Sequence, residues 1–316
     1  MSNELFVSII LPVHNEAENI PIINDELLVV LSSETLSGFE IIYVDDGSTD
    51  GSAEIIRKLA EADSKVKLIQ LFRNFGHQIA LTAGLAYAKG DVVVTMDADL
   101  QHPPATIKAM LQKFRDGYDI VYTHRMGNQS GFVKNLTSAI FYRLFRKVTG
   151  LNIEDNSSDF RLMSRQVVQV LNAMQEKNRF LRGMTPWIGG NHAVVEYELQ
   201  ERLHGSSSYT FNKSFALAIA GLLSFSTIPL KLIFVAGSAI SILSFIYGTF
   251  LALHKIFIGT ALPGYTDIVV SVLFLGGLQL VSIGIIGKFV AIILEEVRNR
   301  PIYVIRQTIG IDEHES

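Results

Sequence analysis

The chain has 316 residues, of which 48% are hydrophobic and only 18% are charged, and its formal net charge at pH 7 is −4. This composition excludes a disordered chain, because there is ample apolar surface to bury, and the mild negative charge argues against a general nucleic-acid binder. The absence of cysteine excludes disulfides, thiolate metal sites and a cysteine nucleophile. The charged fraction is below the roughly 25% usual in soluble domains, which indicates a membrane-associated part.

Strand-like and helix-like segments alternate over the first 123 residues. A continuous apolar run, typical of a strand buried on both faces, occurs at residues 5–11, and strand-like segments follow at residues 39–44, 66–71, 91–96 and 118–123. Helical spacing fills the intervals at residues 16–31, 50–62, 78–89 and 104–117. This order predicts an α/β domain with a mostly parallel, doubly wound sheet that binds ligands at the carboxyl ends of its strands.

Two uncharged stretches follow, at about residues 232–253 and 268–290, the second uncharged up to residue 287. Each is long enough for a helix that crosses a hydrocarbon core of about 30 Å, so we expect a transmembrane hairpin; a pair of buried core helices is the alternative. Lysine and arginine concentrate outside the hairpin, which places both termini in the cytoplasm by the positive-inside rule. We expect no signal peptide, because the N-terminus lacks a basic region.

These patterns divide the chain into four parts. We expect a cytoplasmic catalytic domain at residues 1–210, an interfacial helix region at 211–230, the transmembrane hairpin at 231–294 and an amphipathic cytoplasmic tail at 295–316. The segments at 213–225 and 289–306 mix apolar with charged residues and are predicted to be amphipathic helices at the membrane surface. Ordinary packing helices of the soluble domain are the alternative.

Acidic residues, and no glycine-rich phosphate loop, follow the predicted strands. The fourth strand leads into Asp97-Ala98-Asp99-Leu100-Gln101. Carboxylates two residues apart on an extended segment point to the same side, where their repulsion favours a divalent cation between or beside them. Hard oxygen ligands select Mg²⁺ or Mn²⁺. We therefore predict a metal site at Asp97, Asp99 and Gln101, with a solvated loop as the alternative.

A second acidic group, Asp45 and Asp46, follows the second strand. Paired carboxylates at this edge suit hydrogen bonding to a base or to ribose hydroxyls. Glu16, after the first strand, suits the same role, or simply begins a helix at its favourable dipole end.

Four segments carry a resemblance to a known family: Pro12-Val13-His14-Asn15-Glu16, Val44-Asp45-Asp46-Gly47-Ser48-Thr49-Asp50, Arg73-Asn74-Phe75-Gly76 and Asp97-Ala98-Asp99-Leu100-Gln101. In this order they resemble the motif series of family 2 glycosyltransferases with the GT-A fold. The subgroup is similar to the polyprenyl-phosphate glycosyltransferases, including bactoprenol glucosyltransferases and dolichol-phosphate mannose synthase. The resemblance extends to Ser224-Phe225-Ser226 and Arg300-Pro301-Ile302-Tyr303.

The resemblance implies an activity. It implies a metal-dependent, inverting enzyme that moves a sugar, with glucose favoured, from a nucleotide diphosphate donor such as UDP-glucose to polyprenyl (undecaprenyl) phosphate. The cofactor would be Mg²⁺ or Mn²⁺. With the two predicted spans, the enzyme would be a multi-pass protein of the inner (plasma) membrane. Small residues such as Gly276 and Gly277 favour a homo-oligomer, with a tetramer as one possibility, and the net charge disfavours a nucleic-acid partner.

The resemblance also implies roles for particular residues. The nucleotide-sugar pocket would be formed by Pro12, His14, Glu16, Val44, Asp46, Asn74, Asp97 and Ala98. Asp159, Arg125 and Arg202 would be catalytic, and Arg143, Arg161 and Arg202 would bind the lipid phosphate. Whether Asp159 deprotonates or only positions the acceptor stays open, and a helix N-cap is its alternative.

The chemistry of a lipid monophosphate bears on that choice. Its second pKa is near 6, so it is largely ionised at pH 7 and is already a nucleophile. It needs charge compensation, for which the candidates are Arg125, Arg143, Arg146, Arg161, Arg179, Arg182 and Arg202. We predict that metal and arginine electrostatics outweigh proton transfer.

Two other functions stay open. A processive polysaccharide synthase resembles this catalytic half but carries Gln-x-x-Arg-Trp and more spans, whereas Arg179-Phe180-Leu181-Arg182 lacks the tryptophan. A membrane scaffold that binds nucleotide sugars without turnover is the second. The intact acidic motif and the arginines disfavour the scaffold.

Overall fold

The computed structural model describes residues 4–126, 157–177, 179–198, 228–258 and 264–311. The chain forms two compact units, Met1–Ser214 together with Pro301–Ser316, and Phe215–Arg300. The last residues therefore return to the first unit after the helices of the second.

In the described residues, the first unit is built on one sheet of eight strands. Strands β1 to β8 are Leu5–Val13, Leu36–Asp45, Val66–Leu71, Val92–Thr95, Ile120–Met126, Ser157–Ser164, His192–Glu198 and Ile305–Ile309. Helices α1 to α6 are Ile20–Ser32, Ser52–Ala62, His77–Tyr87, Thr106–Arg115, Arg165–Ala173 and Leu181–Ile188. The strand order is β7-β5-β6-β4-β1-β2-β3-β8.

Four of the strand pairings are parallel, namely β1 with β2, β1 with β4, β2 with β3, and β5 with β7. The predicted α/β fold with a mostly parallel sheet is confirmed, as are its five strands and four helices. Strand β6 was not predicted, and it runs antiparallel between β4 and β5. The fifth strand therefore does not continue the parallel series directly.

The central strands are apolar because both of their faces are covered. Ile9, Ile10, Ile41 and Ile42 are fully buried. The register pairs Val13 with Asp45 at the carboxyl ends of β1 and β2. The polar residues that follow these two strands are thus brought to one edge of the sheet.

Helix α3 lies very close to the two central strands at Gly84. A Cβ atom at this position would be 2.4 Å from Ile10 Cγ2 and 3.2 Å from Val44 Cγ2. Only glycine permits this approach, because a methyl group would overlap the Ile10 side chain. The close packing fixes α3, and with it the residues at its first turn.

The second unit contains two long helices, α7 (Ile228–Ile258, 31 residues) and α8 (Tyr265–Val297, 33 residues). In the described part of the chain, one stretch, Phe274–Val297, is long and apolar enough to cross a membrane, and Ile233–Tyr247 is a shorter apolar stretch. Both predicted spans are therefore helical, but a membrane crossing by the first, at about 232–253, stays a prediction. Most of the predicted interfacial region 211–230 lies outside the described residues.

The C-terminal part differs from the expected amphipathic tail at 295–316. Helix α8 runs without a break to Val297, so no separate interfacial helix begins at residue 289. Strand β8 then pairs antiparallel with β3, with Leu68 opposite Ile309. Residues 305–309 of this tail form a strand because their backbone groups pair with the otherwise open edge of β3.

Candidate active site

The loops after β1, β2 and β3 are joined to one another at the carboxyl edge of the sheet. The Asp46 amide donates to the Val13 carbonyl at 2.8 Å, and the Asp46 carbonyl accepts from His14 Nδ1 at 3.0 Å. His14 therefore carries its proton on Nδ1 in this contact. Asn15, with φ of 60°, accepts from the Thr49 amide at 2.8 Å.

The carboxylate of Asp46 holds the loop after β3. Its Oδ1 accepts from the Phe75 amide at 2.7 Å and its Oδ2 from the Gly76 amide at 2.8 Å. The Asp46 residue is only 3% exposed. This differs from the ligand contact expected for Asp46, because both carboxylate oxygens bind backbone and little of the side chain reaches solvent.

The other residues expected to contact the nucleotide sugar fall into two groups. His14 and Asn74 are exposed at the sheet edge, and Glu16 is half-buried. Pro12, Val44 and Ala98 are buried. The Val44 side chain packs toward Gly84 and is fully buried, so the structure does not present it to a ligand as expected.

Asp97 lies just beyond β4, and its carboxylate contacts the first residue of α3. His77 Nε2 donates to Asp97 Oδ1 at 2.7 Å. Burial favours the neutral form of each group, but the opposite charges outweigh it: the pKa of Asp97 is held well below its usual range, and that of His77 is raised to about 9. Asp97 is therefore an anion at neutral pH.

The buried His102 side chain holds the backbone of Asp97 in place. The Asp97 amide donates to His102 Nδ1 at 3.1 Å, which places the proton of a neutral imidazole on Nε2. Nε2 lies 3.0 Å from Ser158 Oγ, and the ring stacks on Phe160 with centroids 5.0 Å apart. Burial is the largest cause that lowers the pKa of His102, which favours the neutral form.

Asp99 and Gln101 complete the predicted metal set. Asp99 is buried, and its Oδ1 accepts from the Gln101 amide at 3.1 Å. Among the described residues no group of three or more His, Cys, Asp or Glu side chains surrounds a common point. The donor set is two carboxylates and an amide oxygen, which fits a hard divalent cation whose remaining ligands are substrate oxygens and water.

Asp159 lies in β6 and is surrounded by donors. Its Oδ1 accepts from Arg161 Nη2 and Arg182 Nε, both at 3.0 Å. Its Oδ2 accepts from Arg182 Nη2 at 2.8 Å and from Gln78 Nε2 at 3.1 Å. Although burial favours the acid, Arg182 and then Arg161 hold the pKa of Asp159 far below its usual range. Asp159 is not a helix N-cap.

Two of the arginines considered as phosphate ligands are structural. Arg161 is buried and also donates to the Leu181 carbonyl at 3.3 Å and to Thr185 Oγ1 at 3.0 Å. This corrects the expected lipid-phosphate role of Arg161, because the guanidinium is enclosed by α6 and β6. Arg179 is also buried and donates to the Leu171 and Met174 carbonyls.

Arg125 is exposed near the end of β5, next to the buried Tyr197 of β7, and burial raises the pKa of that tyrosine. Arg143 and Arg202, expected at the acceptor phosphate, lie outside the described residues, as does Arg146. Their predicted roles stay predictions.

Three polar residues of the site were not singled out in the sequence. His77 and Gln78 directly follow Arg73-Asn74-Phe75-Gly76, and His102 directly follows Gln101. Each therefore extends a motif already recognised at a strand end. That adjacency was the available signal, since polar side chains at the carboxyl edge of a parallel sheet converge on its ligand site.

The family model described as Glycosyl transferase family 2 matches residues 8–171. The uncharacterized glycosyltransferase sll0501 of Synechocystis is 39% identical to this chain, over 97% of this chain and 96% of the length of that relative. The bactoprenol glucosyl transferase of Shigella phage SfII is 39% identical over 96% of this chain and 98% of its own. The solved glucosyl-3-phosphoglycerate synthase of Mycobacterium tuberculosis, in complex with Mn²⁺, UDP-glucose and phosphoglyceric acid, is 20% identical, with a TM-score of 0.48, over 70% of this chain and 79% of that chain.

Proposed function

Because the chain belongs to glycosyl transferase family 2, and is therefore a glycosyltransferase with a GT-A α/β fold, we propose that it transfers glucose from UDP-glucose to polyprenyl phosphate. One observation carries the proposal: His77 lies between Asp97, which suits a metal and diphosphate, and Asp159, which is bound by two arginines. A donor site and a cationic acceptor site would thus be neighbours. The name of the phage relative supports glucose and a bactoprenol acceptor.

The donor would lie at the carboxyl edge of the sheet. Asp97, Asp99 and Gln101 would hold Mg²⁺ or Mn²⁺, which when bound neutralises charge on the diphosphate. His14, Glu16 and Asn74 would contact the nucleoside, since their side chains reach the surface of this edge. Pro12, Val44 and Ala98 would shape the floor of the pocket from within the fold, and Asp46 would hold the loop at residues 75–76.

The reaction needs no proton to be removed at neutral pH, because the acceptor phosphate is largely ionised. An oxygen of that phosphate would form a bond to the anomeric carbon while the bond from this carbon to the β-phosphate oxygen breaks. The electron pair of the broken bond leaves on UDP. Attack from the face opposite UDP inverts the anomeric centre, and exposed arginines such as Arg125 would offset the charge of the two phosphates.

The second unit would anchor the enzyme to the bilayer. We propose that the two apolar stretches at about 232–253 and 268–290 form a hairpin in the inner membrane, with the catalytic part and both termini in the cytoplasm. Lysine and arginine flanking the hairpin support this orientation. Small residues such as Gly276 and Gly277 would allow close helix packing in a homo-oligomer.

The test uses the full chain in detergent with UDP-[¹⁴C]glucose, undecaprenyl phosphate and Mg²⁺ or Mn²⁺. We expect label in a lipid product that mild acid releases, and loss of that product when EDTA removes the metal. Asp99→Ala should abolish transfer with folding intact, whereas Asp25→Ala, at an exposed position of α1, should not. Labelled polymer would indicate a polysaccharide synthase, and donor binding without product would indicate a scaffold. Full activity of Asp99→Ala would contradict the metal site.

A further inference from the structure

We infer that Asp159 is not a general base but a positioning residue, and that it fixes Arg182 so that this guanidinium binds the phosphate of the lipid acceptor. The inference rests on the proposed function, because it assigns a residue to the acceptor of that reaction. It deepens the function by naming the acceptor-side cation within the described part of the chain.

The lone pairs of Asp159 are already occupied. A carboxylate offers about four hydrogen-bond positions, and Asp159 accepts four hydrogen bonds, two on each oxygen. Three of the four come from guanidinium groups, which cannot be deprotonated in proteins. A proton could reach Asp159 only if one of these charge-assisted bonds broke, so the arrangement opposes a base.

The side chains of Arg161, Asp159 and Arg182 form a chain of contacts from the interior to the surface. The side chains of Arg161 and Asp159 are 3% and 5% exposed, whereas that of Arg182 is 32% exposed. Arg161 therefore anchors Asp159 from the interior, and Asp159 in turn holds Arg182 at the surface. The two parallel bonds from Arg182 Nε and Nη2 fix the plane of its guanidinium.

The backbone that carries Arg182 is held as firmly as its side chain. The Leu181 amide donates to Gln78 Oε1 at 3.0 Å, and the Leu181 carbonyl accepts from Arg161 Nη1. Gln78 also donates to Asp159, so α3, β6 and α6 meet at one set of bonds. A guanidinium fixed in this way can bind a phosphate without losing much side-chain entropy.

The place of Arg182 also suits the acceptor. Asp159 Oδ2 lies 3.8 Å from His77 Nδ1, and His77 Nε2 contacts Asp97. One imidazole therefore separates the carboxylate expected beside the donor diphosphate from the carboxylate that holds Arg182. In an in-line displacement the acceptor oxygen attacks the anomeric carbon on the face opposite the diphosphate, so the acceptor phosphate must lie across that one carbon from the diphosphate.

The test measures KM and kcat for both substrates in Asp159→Asn, Arg182→Ala, Arg182→Lys and the double variant. We expect Asp159→Asn and Arg182→Ala each to raise the KM for undecaprenyl phosphate by about tenfold or more, as for loss of a charged hydrogen bond. The KM for UDP-glucose should stay within about twofold. The double variant should be no worse than the poorer single variant, because both changes remove one interaction. Arg182→Lys should recover part of the affinity, since it keeps the charge but not the fork.

Two controls separate positioning from a loss of folding. Arg115→Ala removes a guanidinium from another ion pair, with Glu34 at 3.4 Å, and should leave both KM values unchanged. Melting temperature and UDP affinity of each variant report on the fold. Arg182→Ala keeps Asp159 bound to Arg161 and Gln78, so it tests the inference even where Asp159→Asn does not fold.

Three results would overturn the inference. A loss of kcat of about 100-fold or more in Asp159→Asn, with unchanged acceptor KM and loss of the acid limb of the pH profile, would make Asp159 a base. A raised KM for UDP-glucose in Arg182→Ala would place Arg182 at the donor. Unchanged acceptor KM in a folded Arg182→Ala enzyme would remove it from both sites. Absence of any lipid-linked glucose with the wild-type chain would instead overturn the proposed function, and this inference with it.

Discussion

His77 Nε2 donates to Asp97 Oδ1 at 2.7 Å, so the first residue of α3 orients the carboxylate that follows β4. The contact reaches across the sheet edge between two separate motifs. It also fixes one Asp97 oxygen, whereas the other, Oδ2, lies 3.8 Å from His102 Nδ1. We therefore expect His77 to orient Asp97, a predicted metal ligand, without itself binding the metal.

We predict that His77→Ala weakens the response to metal. Loss of a residue that orients a metal ligand typically costs about 10- to 100-fold in metal affinity or activity. The measurement is activity against Mn²⁺ or Mg²⁺ concentration, and the half-saturating concentration should rise. His192→Ala is the matched control, since His192 is an exposed histidine at the start of β7 that contacts Tyr122. An unchanged metal titration in His77→Ala would remove His77 from this role.

The sequence pattern locates the ends of the strands but not the contacts that the side chains make there. Apolar runs such as residues 39–44 reveal a buried strand because burial on both faces leaves a local pattern, and acids placed after such runs mark the ligand edge. The contact of Asp159 with Arg182 could not be found in the same way. These residues are 23 positions apart, and their pairing depends on how β6 and α6 pack, which no local periodicity records.

Strand β6 was missed for a related reason. Its sequence mixes Ser158, Asp159 and Arg161 with Phe160 and Leu162, so polar side chains interrupt the apolar run. Those polar groups are buried because they bind one another, which replaces solvent by hydrogen bonds. The sequence pattern does not reveal strand β8, because an edge strand needs little apolar surface and its partner β3 lies more than 200 residues earlier.

Asp46→Ala is predicted to release the loop after β3. The substitution leaves the half-buried Phe75 and Gly76 amides without their charged acceptor, and a hydrogen bond to a charged group contributes about 1.5–3 kcal/mol. We expect this loss in the free energy of unfolding, measured with urea, together with weaker UDP binding measured by calorimetry. Asp63→Ala is the control, because the Asp63 carboxylate accepts from the Lys65 amide in an exposed contact. Unchanged UDP affinity in a destabilised variant would separate the loop from the nucleotide pocket.

Gly84→Ala is predicted to destabilise the first unit. Alanine is normally better than glycine in a helix by about 1 kcal/mol, but here its methyl group would meet Ile10 Cγ2 at 2.4 Å. Overpacking of this kind costs about 1–3 kcal/mol, so the melting temperature should fall. Gly284→Ala in α8 is the comparison, because a Cβ there meets nothing within 4 Å in the described residues. A raised melting temperature in Gly84→Ala would contradict the close contact of α3 with β1 and β2.

Asp50 gives the first unit a pH-dependent stability. Its carboxylate accepts from the Ser52 amide and hydroxyl and from the Ala17 amide, joining the loops after β1 and β2. Partial burial alone would raise the pKa of Asp50, but these hydrogen bonds, first that of the Ser52 hydroxyl, outweigh it and lower the pKa. A carboxylate whose pKa is lower in the folded state stabilises the fold at pH values above its unfolded-state pKa of about 3.9. This stabilisation is lost as the pH falls through the folded-state pKa.

Asp50→Asn should therefore have a smaller free energy of unfolding than wild type at pH 7, and the difference between the two proteins should narrow below about pH 4. Urea unfolding of both proteins between pH 7 and pH 3.5 measures this difference in the free energy of unfolding. The difference caused by Asp50→Asn should be smaller when both proteins also carry Ser52→Ala. A difference of constant size across this range would show that the charge of Asp50 contributes nothing.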